Sequence, residues 1–202
     1  MAMYPARSSG LFRLTRRALG LRVMGGAMVA VAGPVTAPAQ TAPDPDLRDA
    51  ALRGLALAMH RGDPVAAAAA RAAMERLAAT DPEGALLARL YCALDVRPST
   101  FYRVDMPPAS ADDLALLHRA IGASQPVFFA YTDLSDQPSQ RSVLPLALVH
   151  PPQGVKLLAW CTERQGYRQF FVRAMHDLAT CSGSFVDQRL TLLQGLVEKE
   201  GA

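Results

Sequence analysis

The sequence predicts an α+β chain: a helical N-terminal region followed by a small β-barrel. Three observations predict it. Between Leu47 and Tyr91 apolar residues recur at three- and four-residue steps, the period of an amphipathic helix. Between Val127 and Arg173 the apolar runs are short and separated by turn-forming residues, as in a meander of strands. Arginines also stand at the starts of two of those runs, Arg141 and Arg168. A barrel with apolar residues inside and arginines at its rim suits the holding of an anion.

The chain of 202 residues, half of them hydrophobic, can bury one sizeable core. Its formal charge of +3 is unevenly placed. Residues 1–39 hold Arg7, Arg13, Arg16, Arg17 and Arg22 and no acid, so residues 40–202 are slightly acidic. Net charge therefore gives no support to a general nucleic-acid binder. The same N-terminal stretch reads as an export signal. Thr15-Arg16-Arg17-Ala18-Leu19 precedes an apolar run from Val23 to Ala32, and Ala37-Pro38-Ala39 supplies small residues for cleavage. The paired arginines resemble a twin-arginine (Tat) signal, although Leu19 stands where phenylalanine is commonest. A run of about ten apolar residues is too short to span a bilayer. Export would place a mature chain starting near Gln40 in the periplasm, with no stable membrane span. An upstream start-site error or a retained basic tail would leave the protein in the cytoplasm.

The helical pattern begins at Leu47, continues through Ala50, Ala51, Leu55 and Met59, and ends at Gly62. Asp63-Pro64 and Asp81-Pro82 each read as an N-cap followed by proline in the first turn. They open an alanine-rich helix over Val65 to Ala79 and a third helix carrying Leu86, Leu87, Leu90 and Tyr91. A DNA-reading helix-turn-helix needs outward polar and basic side chains. Here only Arg71, Arg76 and Arg89 are offered, so a small bundle packed on the barrel is the favoured reading. Arg97 to Ser110, with three prolines, reads as a linker. A helix over Ala111 to Ala120 places Leu114, Leu117 and Ile121 on one face. Strands follow at Val127–Tyr131, Val143–Val149, Val155–Thr162 and Gln169–Arg173, with a last short strand around Phe185 and a helix over Gln188–Lys199. The domains are thus an export signal at 1–39, a helical region at 46–96, a linker at 97–110 and a barrel domain with flanking helices at 111–202.

The order helix, Ala120-Ile121, Phe129-x-Tyr131, Arg141-x-x-x-Pro145, a strand with Trp160-Cys161, and Arg168-x-Phe170 resembles the WYL domain over about residues 113–186. The resemblance implies an Sm-like β-barrel of the kind attached to bacterial helix-turn-helix regulators. It also implies a ligand-sensing role, with nucleotides or nucleic acids among the ligands. The naming tripeptide falls at Val155-Lys156-Leu157, where only its leucine survives. A further arginine of the family falls at Ala174, with Arg173 just before it.

Arg141 and Arg168 match the family's arginines, and a guanidinium can fork onto phosphate or carboxylate. For Arg141 the competing reading is a salt bridge to Asp133 or Asp136. Arg164, Arg173 and Lys156 would extend the basic patch or stand solvated at the surface. Tyr131 and Trp160 would stack a base or ring, or pack in the core with a polar tip at the rim. Strand alternation puts Trp160 on the face of Lys156 and Leu158, away from Leu157, Ala159 and Cys161. Cys92, Cys161 and Cys181 show no metal spacing; Cys161 and Cys181 could pair, or all three could remain thiols. His60, His118, His150 and His176 are scattered, and no nucleophile elbow or phosphate loop is present. The expectation is a non-catalytic protein without cofactor or metal, binding an anionic small molecule or nucleic-acid fragment, with a homodimer left open. The alternatives are a cytoplasmic WYL-type regulator binding DNA through its N-terminal helices, or a periplasmic protein-interaction module.

Overall fold

Three Asp-Pro steps start three helices in succession. In this computed structural model, which describes residues 44–97 and 106–202, they are α1 (Pro45–Ala58), α2 (Pro64–Thr80) and α3 (Pro82–Leu94). The Asp44, Asp63 and Asp81 carboxylates accept N–H groups of each first turn, at Asp46, at Val65 and Ala66, and at Gly84. Proline next to each cap gives up an N–H that had no helical partner. The export signal read at 1–39, and residues 98–105 of the linker read at 97–110, lie outside the described residues.

α3 is the central helix, burying Gly84, Ala85, Leu87, Ala88, Leu90, Tyr91 and Leu94. α1 packs on it through Leu52 and Ala56. The expected stripe beginning at Leu47 is therefore displaced, and Leu47 is 67% exposed. The reason is that α1 also turns Asp49 and Arg53 toward α3, where they join an ion-pair network. α4 (Ala111–Gly122) is capped by Ser110 and buries Leu117 and Ala120.

Five antiparallel strands follow: β1 (Val127–Thr132), β2 (Pro138–Val149), β3 (Lys156–Cys161), β4 (Gly166–Phe171) and β5 (Met175–Thr180). α5 (Val186–Glu200) closes the chain. The β1–β2 turn is shorter than read, because Pro138, Ser139 and Gln140 already pair with β1. β5 lies ahead of the strand expected at Phe185. Its His176 and Asp177 break any apolar alternation, while Phe185 is buried at the start of α5.

The strand order is β4-β3-β2-β1-β5, and the edge strands β4 and β5 do not pair, so the expected closed barrel is an open sheet. It is strongly curled nonetheless. In a flat sheet β1 and β4 would stand about 14 Å apart across two intervening strands. Here the Phe129 and Phe170 rings are 5.2 Å apart and the Tyr131 and Phe170 rings 5.1 Å apart. The inner face of this curl and α4 form one core around Phe129, Val143, Leu157 and Phe170. The outer face packs Leu146, Ala147, Val149 and Leu158 against α1, α3 and α5 in a second core.

Pro145 sits in the central strand β2, where it cannot donate to the ladder. The register shifts between Pro145 and Ala147, a β-bulge of the kind that accommodates proline. The side chain of Arg189 on α5 reaches the carbonyls of Pro145 and Leu146 at that bulge, at 3.4 and 3.1 Å.

Candidate functional site

The inner face of the curl gathers Tyr131, Arg141 and Arg168. Arg141 pairs in register with Phe129, so both side chains rise from the same face. Arg168 pairs with Ala159, a member of the inner core, and lies two residues before Phe170 on that face. The two arginines therefore flank the edge-to-face trio of Phe129, Tyr131 and Phe170. Arg141 is half-buried and Arg168 exposed. Among the described residues neither makes a hydrogen bond or ion pair, and the alternative of a salt bridge from Arg141 to Asp133 or Asp136 is not formed. Glu163, in the β3–β4 turn, is the acid that feels Arg141. Burial works to raise its carboxyl, but hydrogen bonds from the Cys161 thiol and the Ser142 N–H, with Arg141 nearby, hold it below the ordinary value. Burial pushes the Tyr131 phenol up, against the opposing N–H of Phe171 at 3.4 Å.

The other residues read from the sequence stand elsewhere. Trp160 is on the outer face, edge-to-face with Tyr167 at 4.9 Å. Lys156 and Arg173 converge on a single ring, lying 4.8 and 5.1 Å from the centre of Phe171. Lys156 also donates to Gln169, and burial lowers its ammonium pKa. Arg164 is exposed in the β3–β4 turn. Cys92, Cys161 and Cys181 are free thiols, so the Cys161–Cys181 bridge is not formed; Cys161 Sγ instead donates to Glu163 at 3.2 Å.

A polar network between the helices and the sheet has no counterpart in the sequence reading. Arg53 of α1 donates to Asp49 at 2.8 Å and to the Leu148 carbonyl at 3.0 Å, and reaches Asp95 at 3.4 Å. Its guanidinium lies 4.0 Å from the centre of the Tyr91 ring and 2.8 Å from His150 Nδ1. Because Arg53 can only donate, that His150 nitrogen accepts. Burial first, and Arg53 second, lower the His150 pKa. The Tyr91 hydroxyl donates to Asp49 at 2.6 Å, and burial pushes the phenol above its ordinary range. Arg48 forks onto Asp81 with two contacts of 2.8 Å, and Arg189 joins Glu83 at 3.2 Å. The missed signal is the acid that caps α3: Asp81 serves as N-cap and as partner to Arg48.

A cavity of about 590 Å³ opens beside this network, lined by Arg48, Glu83, Tyr91, His118, Arg119 and Arg189 among others. A second, of about 500 Å³, is mainly apolar and lies among α2, α3 and α5, with Met59, Met74 and Leu86 in its wall. Among the described residues no group of three or more His, Cys, Asp and Glu side chains is placed to hold a metal ion. Nor is any helix among them long and apolar enough to cross a membrane.

The family model of the WYL domain matches residues 112–180, which span α4 through β5. Among solved structures the chain is similar to proteasome accessory factor B/C (PafBC) of Arthrobacter aurescens, with 22% identity and a TM-score of 0.40. That match covers 72% of this chain and 22% of the other, so the chain spans about a fifth of that protein's length. No curated protein matches the chain.

Proposed function

We propose that this chain is a non-catalytic regulatory protein of the WYL transcriptional-regulator kind, with a ligand-responsive sheet and a helical segment that contacts DNA. The observation that carries the proposal is the match of residues 112–180 to the WYL domain, on a sheet whose outer face is packed against the preceding helices. Contacts made by those helices can therefore be felt by the sheet. α3 is too buried to enter a groove. α2 buries only Ala70 and carries Arg71 and Arg76 exposed, so α2 is the helix assigned to DNA. The reading places the protein in the cytoplasm and competes with export through residues 1–39; N-terminal sequencing of the protein from its native cell separates the two.

The test is the affinity of the full chain for duplex DNA at two salt concentrations. Two lost phosphate contacts lower the salt slope by about two. The Arg71→Ala/Arg76→Ala variant is expected to show that drop; binding indifferent to salt and to the substitutions would defeat the DNA assignment.

A second reading is favoured by one specific observation: Arg141 and Arg168 share a face beside an aromatic trio and make no ion pair among the described residues. In it the sheet holds an anionic ligand, a nucleotide or nucleic-acid fragment, with or without DNA contact by the helices. Calorimetry with nucleoside mono- and diphosphates is expected to show binding that Arg141→Ala and Arg168→Ala each weaken. Equal heats for wild type and both variants would remove it.

A further inference from the structure

Where α1 ends, three side chains of metal-ligating type meet, two adjacent in sequence and the third from α3. Met59 is the C-cap of α1, His60 follows it, and Cys92 lies in the last turn of α3. Cys92 Sγ is 3.7 Å from Met59 Sδ and 3.4 Å from His60 Nε2. With metal–sulfur and metal–nitrogen bonds of about 2.3 and 2.0 Å, a trigonal ion sets sulfur–sulfur and sulfur–nitrogen edges of about 4.0 and 3.7 Å. Both edges from Cys92 lie within a few tenths of an ångström of those values.

We infer that Met59, His60 and Cys92 form a site for a soft monovalent ion, Cu(I). Thiolate and thioether sulfur with imidazole favour Cu(I), whereas zinc takes four ligands and does not recruit thioethers. The charges also match: one thiolate, one neutral imidazole and one thioether neutralise a single positive charge in a half-buried place. Met59 lines the apolar cavity of about 500 Å³ and His60 a smaller one of about 110 Å³, so the ion has a route in from either side. As the sulfur–copper bond forms, the Cys92 proton leaves to solvent, and copper stays Cu(I) throughout. His60 Nε2, now 2.9 Å from the Cys92 carbonyl, exchanges that contact for the ion with its proton on Nδ1. The site is independent of the function proposed above.

The test is an anaerobic titration of the reduced full chain with Cu(I) against a chromophoric Cu(I) chelator. The expected result is one Cu(I) per chain, with sulfur and nitrogen neighbours in X-ray absorption. Removing a direct ligand should cost more than the roughly 10–100-fold that follows loss of an outer-shell partner. Cys92→Ser should therefore abolish tight binding, and Met59→Leu and His60→Ala should each weaken it. The Cys161→Ser/Cys181→Ser variant should bind as wild type does. If Cys92→Ser does not fold, Met59→Leu, which keeps the volume, carries the test. Retained affinity in Met59→Leu and His60→Ala, copper that follows Cys161 or Cys181, or Zn(II) displacing Cu(I) would each overturn the proposal.

Discussion

The two faces of the sheet use arginine in opposite ways. On the outer face Arg189 is 7% exposed and engages the Glu83 carboxylate and two carbonyls freed by the bulge at Pro145. Arg53 likewise joins two acids, a strand carbonyl and the Tyr91 ring. On the inner face Arg141 and Arg168 stand beside an aromatic trio and carry no ion pair among the described residues. A guanidinium buried with partners holds elements together, and removing it strands its partners. A guanidinium left at a rim without partners contributes little to folding and remains available to an anion.

The largest expected effect is on the outer face. Arg189→Ala leaves the two bulge carbonyls without their side-chain donor, while Glu83 keeps Arg48 at 3.7 Å, and should destabilise the fold by about 2–4 kcal/mol, read from denaturant unfolding. A result near zero would mean that the bulge carbonyls are met by solvent and that the contrast between the faces is false. Next comes the seat of α5 on the sheet. A methyl group at Gly195 would run into the Tyr167 hydroxyl, so Gly195→Ala should cost about 1–3 kcal/mol through overpacking. Removing the hydroxyl in the same chain, with Tyr167→Phe, should return part of it.

A smaller effect should appear in acid. The hydrogen bond from Arg48 holds the Asp81 carboxyl below its ordinary value of 3.8, against a lesser opposing contribution from burial. A carboxyl lowered in the folded state contributes stability that is present above its unfolded pKa and is lost as pH falls through the folded one. Asp81→Asn should therefore flatten the loss of stability below about pH 4. An unchanged acid limb would remove Asp81 from the framework. The smallest change in stability belongs to the inner face, where Arg141→Ala and Arg168→Ala should each stay within about 0.5 kcal/mol. A larger loss would show that these arginines hold the curl together rather than stand ready for a ligand.

Much of this arrangement was legible in the sequence because local signals carried it. Asp-Pro steps mark helix starts, alternation marks β1 and β3, and the spacing of Arg141, Pro145 and Arg168 marks the WYL resemblance. What escaped depends on contacts between distant residues. β5 pairs with β1 although His176 and Asp177 give it no apolar rhythm. Phe185 looks like a strand residue but is buried where α5 begins. Leu47 fits a helical stripe, yet α1 rolls Asp49 and Arg53 inward and leaves it outside. Among the site residues, alternation alone separates Trp160 from the inner face. The meeting of Lys156 and Arg173 over Phe171 needs the turn between β4 and β5.

Arg71 and Arg76 on α2 and Arg168 on the sheet are exposed, with Arg141 half-buried on the same face as Arg168. The most direct test is the binding of a labelled DNA duplex to the full chain, followed by anisotropy at two salt concentrations. The wild type is to be compared with the Arg71→Ala/Arg76→Ala and Arg141→Ala/Arg168→Ala variants. The account predicts salt-dependent binding that the α2 variant loses and the sheet variant keeps. No binding to duplex, or binding that follows the sheet arginines instead, would contradict it.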